Sequence, residues 1–257
     1  MLKPAPNPVG SLTLIVAVAA ALFAFAWPLF IPANAVSSAA LSQSSMVALM
    51  PLLLGLIFAD FGLGARDTRQ LAVLAVLIAL NSAIRLLGAG VSGIETVFFL
   101  IIIAASVFGA SFGFVLGAGS LMVSALIGAG VGPWLPFQMM AAAIVGAGAG
   151  LIPMLRSRWL HTASLALYAV PASYLYGALM SLWNWPLLAS EGSSLGYIAS
   201  ASVFDNLTRF VNYELLTGGL LWDTGRAATT VLLVCLTGPT LTAALSRAAI
   251  RAGFSRN

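Results

Sequence analysis

Polar and aromatic residues gather in the segments that separate long apolar stretches of this chain. Arg85 and Glu95 flank the glycine-rich turn "GAGVSGIE" (88–95), and Trp134 and Gln138 belong to "GVGPWLPFQ" (130–138). A guanidinium, a carboxylate and an amide can hold a polar solute by hydrogen bonds, while an indole covers its apolar face. These residue types predict noncovalent binding of a partly aromatic, polar small molecule.

The same residue types recur farther along the chain. Asn81 lies one helical turn before Arg85, and charged groups close to lipid normally face a bundle interior, a partner or a cavity. Arg226 is expected to begin the last helix, where the helix dipole disfavours a cation, so an ion pair with Asp223 is expected. The complete set of candidate substrate-binding residues is Asn81, Arg85, Glu95, Trp134, Gln138, Asn184, Asn206, Arg209, Trp222, Asp223 and Arg226.

Residues that would support covalent or metal chemistry are sparse. His161 is the only histidine, Cys235 the only cysteine and Lys3 the only lysine, so neither a zinc site nor a phosphate-binding P-loop can be assembled. The seven acidic residues are scattered along the chain. We therefore expect no catalytic site, no metal and no cofactor. If the chain takes part in a process driven by ATP, another protein must hydrolyse the ATP.

The composition determines the broad class. Of the 257 residues, 61% are hydrophobic and only 7% are charged, against about 25% charged in soluble domains. Apolar stretches of about 20 residues recur, and each is long enough to cross a bilayer. The chain is therefore expected to be an all-α polytopic membrane protein, and its net charge of +4 reports topology instead of nucleic-acid binding.

The apolar stretches predict eight helices. Two of these helices lie within residues 1–68 and six within 69–257. A long outer loop, 184–224, is expected to contain a short amphipathic helix near 203–216. The predicted helix bounds are 11–32, 46–63, 69–87, 95–109, 112–128, 137–155, 160–183 and 226–250.

The arginines predict the orientation. With the N- and C-termini in the cytoplasm, most basic residues fall in inner loops and only Arg85, Arg209 and Arg226 fall outside. Five of the six tryptophans also fall toward the outer side, which favours an outward-facing pocket over an ordinary aromatic belt at both interfaces. The sequence "ANA" ending at Ala35 resembles a signal-peptidase site, but the apolar run before it is longer than is typical, so we prefer a retained helix.

A stripe of small residues follows the third predicted helix. Ala75, Ala79 and Ala83 are spaced by four, and the stripe is centred about 140° around the helix from Asn81 and Arg85. Small side chains allow another helix to approach closely in lipid. The helix is therefore expected to turn one face to a pocket and the other to a partner, although alanine is also common in internal packing.

The run from 71 to 153 resembles the membrane-embedded, substrate-binding S component of energy-coupling factor (ECF) transporters, as in the actinobacterial branch. "GVGPWLPFQ" and the alanine repeat are the most specific pieces, and the resemblance extends through "YGALMSLWNWP" (176–186) and "NLTRF…LLWDTGRA" (206–227). The resemblance covers about two-thirds of the chain. It implies that the last six helices, within 69–257, form a six-helix substrate-binding core, and that the first two form an added N-terminal transmembrane hairpin within 1–68, whose role stays open.

The resemblance implies a plasma-membrane subunit that captures a vitamin-like micronutrient from outside. It also implies that the alanine repeat docks a transmembrane coupling subunit that is driven by two ATPase subunits. A cobalamin-like substrate is the first expectation, and thiamine-, riboflavin- and queuosine-type ligands stay open. The alternatives are an ATPase-independent membrane carrier or scaffold and an intramembrane lipid-modifying enzyme.

Overall fold

The computed structural model describes residues 8–30, 51, 54–55, 68–88, 93–188, 194–198 and 201–254. Over these residues the chain is helical, with short connections. The helices, numbered along the chain, are α1 (Pro8–Phe25), α2 (Trp27–Phe30), α3 (Thr68–Gly88), α4 (Phe98–Phe108), α5 (Ala110–Ser124), α6 (Leu135–Ala149), α7 (Arg158–Leu188), α8 (Val203–Leu216) and α9 (Gly219–Arg251).

Four stretches are long and apolar enough to cross a membrane. They are Thr68–Gly88, Ala110–Ala129, Arg158–Pro186 and Gly219–Arg251, which correspond to α3, α5 with its π-helical extension Ala125–Ala129, α7 and α9. Three shorter apolar helices lie in α1, α4 and α6. This is the pattern of a multi-pass helical membrane protein, as the composition predicts.

The short helix α4 lies at the centre of the bundle. All of its residues from Phe98 to Phe108 are buried. At 1.5 Å per residue its 11 residues span only about 16 Å, less than the apolar thickness of a bilayer. Its neighbours α5, α6, α7 and α9 enclose it, so its backbone is shielded by protein instead of facing lipid. The sequence predicted a helix at 95–109, and the helix observed there, Phe98–Phe108, is buried along its whole length.

Glycines allow α5 and α6 to cross with their backbones in contact. A Cβ added to Gly113 would lie 2.4 Å from the carbonyl oxygen of Gly146, and one added to Gly117 would lie 2.4 Å from that of Ala142. Helices in lipid associate through such close packing, because lipid supplies no hydrophobic driving force between them. In the α5–α6 pair the two helix backbones therefore pack directly against each other.

The first helix packs against this core. Ala17, Ala21, Ala24 and Phe25 are buried on one side of α1, and the Phe25 ring meets that of Phe137 edge-on at 5.5 Å. Most of the second predicted helix, 46–63, lies outside the described residues.

Four predicted boundaries are wrong. The first predicted helix, 11–32, is interrupted at Ala26 between α1 and α2. α6 ends at Ala149 instead of 155, where a glycine-rich stretch and Pro153 stop the helix. α7 continues to Leu188, and α9 begins at Gly219 instead of 226. Much of the expected loop 184–224 is consequently helical, whereas the amphipathic helix predicted near 203–216 is confirmed as α8.

The alternating helix directions give the bundle two distinct ends. One end carries Glu95, Asp205, Glu214 and Asp223, and we call it the acidic end. The other carries Arg69, Arg156, Arg158, Arg247 and Arg251, and we call it the arginine end. Along α9, Arg226 and Arg247 are about 31 Å apart, close to the apolar thickness of a bilayer. The charged residues of α9 therefore lie near the two edges of such a layer and not at its centre.

Candidate functional site

Arg226 is the centre of the polar cluster at the acidic end. Its Nε donates to Glu95 Oε2 at 2.5 Å, and its Nη1 donates to Asp223 Oδ1 and to the carbonyl oxygen of Ser173, the latter at 3.3 Å. The guanidinium lies over the ring of Tyr176, 4.8 Å from its centroid. We call Glu95, Tyr176, Asp223 and Arg226 the Tyr176 cluster.

The cluster joins three parts of the chain. Glu95 lies in the connection before α4, Tyr176 lies in α7, and Asp223 and Arg226 lie one turn apart in α9. The Arg226 side chain is 10% exposed and that of Asp223 only 5%, so these charges are largely removed from water. Buried charges persist only when they are paired and hydrogen-bonded, a condition that these contacts meet.

Glycines bring these elements close enough for the contacts to form. The backbones of Gly93 and Gly225 touch, since a Cβ on Gly93 would lie 2.9 Å from the Gly225 Cα. Gly93 has φ +70°, a conformation that side chains rarely adopt. On the other side, a Cβ on Gly177 would lie 1.9 Å from Asp223 Oδ1, so the carboxylate occupies the space that a side chain would need.

The expectation that Arg226 begins the last helix is wrong. α9 starts at Gly219, two turns earlier, so Arg226 does not face the unsatisfied amides of a helix N-terminus. Its expected ion pair with Asp223 is confirmed. Its contact with Glu95 was not predicted, because the two residues are 131 positions apart.

Arg85 forms a separate polar contact, with a serine of α5. Its Nη1 donates to Ser124 Oγ at 2.9 Å, and the neighbouring Ser82 hydroxyl donates to the Ser120 carbonyl oxygen at 3.0 Å. These bonds fasten α3 to α5. Arg85 is nevertheless close enough to act electrostatically on Tyr176, as are Glu95, Asp223 and Arg226. Four charged residues that the sequence singled out thus lie near Tyr176, a residue that it did not single out.

Asn81 is fully buried, and both polar atoms of its amide lack a hydrogen-bond partner within the described part of the chain. Leaving one such group unsatisfied costs about 1–3 kcal/mol, and native proteins rarely tolerate it without water or a ligand. The Oγ of Ser120 in α5 and the Oγ1 of Thr230 in α9 are also buried without a described partner. The bundle interior therefore offers hydrogen-bonding atoms from three helices.

Glu214 is a second functional candidate that the sequence did not reveal. It lies in α8, is buried, and has one carboxylate oxygen without a described hydrogen-bond partner. Burial raises its pKa above the ordinary value of 4.5, and a hydrogen bond with Ser181 and the charge of Arg226 oppose this shift. Its other oxygen lies against Gly219 at the start of α9. A third carboxylate therefore acts on Arg226 from the surface helix.

The structure gives Asn206 and Arg209 definite partners in the segment 194–198. The Asn206 side chain accepts from the Ile198 amide at 3.0 Å and donates to the Ile198 carbonyl at 2.7 Å. Arg209 Nη1 donates to the Ser194 carbonyl at 3.1 Å. The Trp185 indole, which is fully buried, donates to the Leu195 carbonyl at 2.9 Å. These side chains hold a strap over the ends of α7 and α8.

The "GVGPWLPFQ" stretch lies apart from the Tyr176 cluster. The indole of Trp134 folds back on Gly132 of its own turn and is 44% exposed, and Gln138 is half-buried in the first turn of α6. In the described structure α6 packs against α4, α5 and α7 and has at most a marginal contact with α9. The structure therefore does not bring these two residues together with Asp223 and Arg226.

The remaining predicted residues divide between core and surface. Asn184 is half-buried in the last turns of α7, and Trp222 is half-exposed near the start of α9. Trp183 stacks on Phe137 with centroids 4.1 Å apart and is buried. Two of the outward tryptophans, Trp183 and Trp185, are thus packing residues, which weakens the argument for a pocket from tryptophan asymmetry.

The arrangement is suited to binding a polar molecule through hydrogen bonds and charge. His161 is buried with Ser106 at 3.2 Å, far from the cluster along the bundle. No group of three or more histidine, cysteine, aspartate or glutamate residues that could hold a metal occurs among the described residues. No protein-family model, curated protein or solved structure matches the chain.

Proposed function

We propose that this chain is the membrane-embedded substrate-binding subunit of an importer of the ECF type, which captures a vitamin-like micronutrient at its acidic end. In this proposal a separate coupling subunit and two ATPase subunits supply the energy. The arginine end faces the cytoplasm, as the positive-inside rule favours.

The division of α3 into two faces carries the proposal. Ala75, Ala79 and Ala83 are all exposed within the described part of the chain, so the stripe can receive another helix. On the opposite face Asn81 is fully buried with an unsatisfied amide, and Arg85 reaches α5. One helix thus presents a smooth outer surface and a polar inner one, which is what coupling a bound solute to a partner requires.

The charges at the acidic end favour a substrate that donates hydrogen bonds. Three carboxylates, those of Glu95, Asp223 and Glu214, act on the one guanidinium of Arg226. Donor groups of a substrate would relieve the excess of acceptors and satisfy the Asn81 oxygen. The substrate is then a polar, partly aromatic compound that lies between α3, α7 and α9, apart from Trp134 and Gln138.

The docking half of the proposal is tested with exposed alanines. Ala79→Phe places a large side chain in the stripe, and Ala163→Phe makes the same change at an exposed position of α7. Each variant is co-expressed with candidate coupling and ATPase subunits, and complexes are isolated on the ATPase. We expect Ala79→Phe to lower recovery of the complex about tenfold or more while Ala163→Phe leaves it unchanged, since bulk prevents close helix approach.

The alternative of a carrier or scaffold makes the opposite prediction. A carrier that works without ATPases would transport its substrate when expressed alone, and its transport would be unaffected by Ala79→Phe. Equal recovery of complexes from both alanine variants would refute the assigned docking face. A lipid-modifying enzyme has less support, because two carboxylates of the acidic end, those of Glu95 and Asp223, are paired with Arg226.

A further inference from the structure

A cavity of about 540 Å³ opens between α3 and α9 at the arginine end. Its lining residues are Arg69, Ala72 and Val73 of α3 and Ala244, Arg247, Ala248, Arg251 and Ala252 at the end of α9. The volume is typical of small-molecule sites, and three of the eight lining residues are arginines. The cavity lies about 31 Å along α9 from Arg226, so it is distinct from the Tyr176 cluster.

The cavity exists because α3 and α9 diverge. Helix α3 packs against α5, whereas α9 packs against α4 and α7. Over the described residues α3 and α9 have at most a marginal contact with each other. At the acidic end the chain closes this gap where Gly93 meets Gly225. At the arginine end the small side chains of Ala72, Ala244 and Ala248 leave it open.

Two of the cavity's cations belong to one face of α9. Arg247 and Arg251 are one turn apart and exposed, and neither forms an ion pair with a described carboxylate. Arginine guanidinium groups bind phosphate oxygens through paired hydrogen bonds. A cleft that combines these groups with alanine walls suits a phosphate that is attached to an apolar body.

The cavity also opens toward the region that lipid would occupy. α3 and α9 are the least buried of the four candidate spans, with 28% and 22% of their apolar windows buried, and Ala72 and Ala244 on the walls are exposed. Its position at the end of both spans is the level of phospholipid headgroups. A membrane lipid can enter sideways with its chains along the two helices.

We propose that this cavity binds the headgroup of an anionic phospholipid, with Arg247 and Arg251 as the phosphate ligands and Arg69 on the opposite wall. The bound lipid fills the gap between α3 and α9 and joins the two helices at the arginine end. This inference does not depend on the proposed transport function.

The experiment measures lipid binding to the intact chain in detergent by native mass spectrometry. Phosphatidylglycerol, phosphatidylcholine and inorganic phosphate are added separately at matched concentrations. The test variant is Arg247→Gln/Arg251→Gln, and the control is Arg156→Gln/Arg158→Gln, which removes the same charge from exposed positions at the same end but outside the cavity. Ala244→Phe fills the cavity without changing its charge.

We expect the unmodified chain to bind phosphatidylglycerol about tenfold more tightly than phosphatidylcholine. The affinity of the test variant for phosphatidylglycerol should be about ten- to thirtyfold lower than that of the unmodified chain, because two cations at a headgroup are lost. The control should change less than about twofold, and Ala244→Phe should reduce binding without any charge change. Equal losses in test and control variants would show nonspecific charge attraction and overturn the proposal. Unchanged binding in Ala244→Phe, or phosphate binding as tight as that of the lipid, would overturn it as well.

Discussion

Replacing Arg226 by methionine should destabilise the protein more than any other single loss of a surface or cluster cation. Methionine replaces the aliphatic part of the side chain but leaves the nearly buried Asp223 carboxylate without its partner, and it removes the contacts with Glu95 and Ser173. Breaking a buried ion pair from one side costs about 3–5 kcal/mol, because an uncompensated charge remains. We expect a loss of that size in the free energy of unfolding.

The measurement is an unfolding titration with SDS in mixed micelles, followed by tryptophan fluorescence. The matched control is Arg209→Met, since Arg209 donates only one described hydrogen bond, to the Ser194 carbonyl, and its loss should cost about 1 kcal/mol. The double variant Asp223→Asn/Arg226→Met should recover more than about 1 kcal/mol relative to the single change. Equal losses for Arg226→Met and Arg209→Met, or a double variant less stable than the single one, would refute the assignment of a buried charge cluster.

Three further changes test other contacts at the acidic end. Burial raises the pKa of Glu214, so the folded state binds the proton of this carboxyl more tightly than the unfolded state does. The free energy of unfolding should therefore fall as the pH rises from 4.5 through the raised pKa. SDS titrations at several pH values should show this slope, and Glu214→Gln should flatten it. Gly177→Ala should cost about 1–3 kcal/mol in the same assay, since its methyl group would displace Asp223, and unchanged stability would contradict that packing. Asn206→Ala should release the strap 194–198, seen as faster amide hydrogen exchange there, whereas equal exchange would assign the strap to other contacts.

Local patterns were sufficient to predict the helical class and several individual features. The amphipathic period near 203–216 predicts α8, and the three-residue spacing predicts the pair of Asp223 with Arg226. The exposed position of the alanine stripe and the burial of Asn81 also agree with the face assignment, because both follow from the 100° step of one helix.

Features that depend on tertiary contacts were not accessible to the same reasoning. Glycines and Asp223 make 219–225 look like a loop, yet this segment is helical, because Gly225 packs on Gly93 and Asp223 on Gly177. The pairing of Glu95 with Arg226 and the stacking of Trp183 on Phe137 join distant parts of the chain. An indole in a packed core and one in a binding cleft have the same sequence signature, so only the packing separates them.

The most direct test of the proposed function is mass spectrometry of the small molecule that remains bound when the chain is expressed and purified alone. We expect one polar, partly aromatic compound at close to one molecule per chain. Asn81→Leu, which keeps the size but removes the buried amide, should lose that compound while the protein stays folded, and Asn212→Leu at an exposed position of α8 serves as the comparison that keeps it. Recovery of the same compound from Asn81→Leu would contradict a substrate site inside this bundle. Recovery of no small molecule from the unmodified chain, after expression in a rich medium, would contradict it as well.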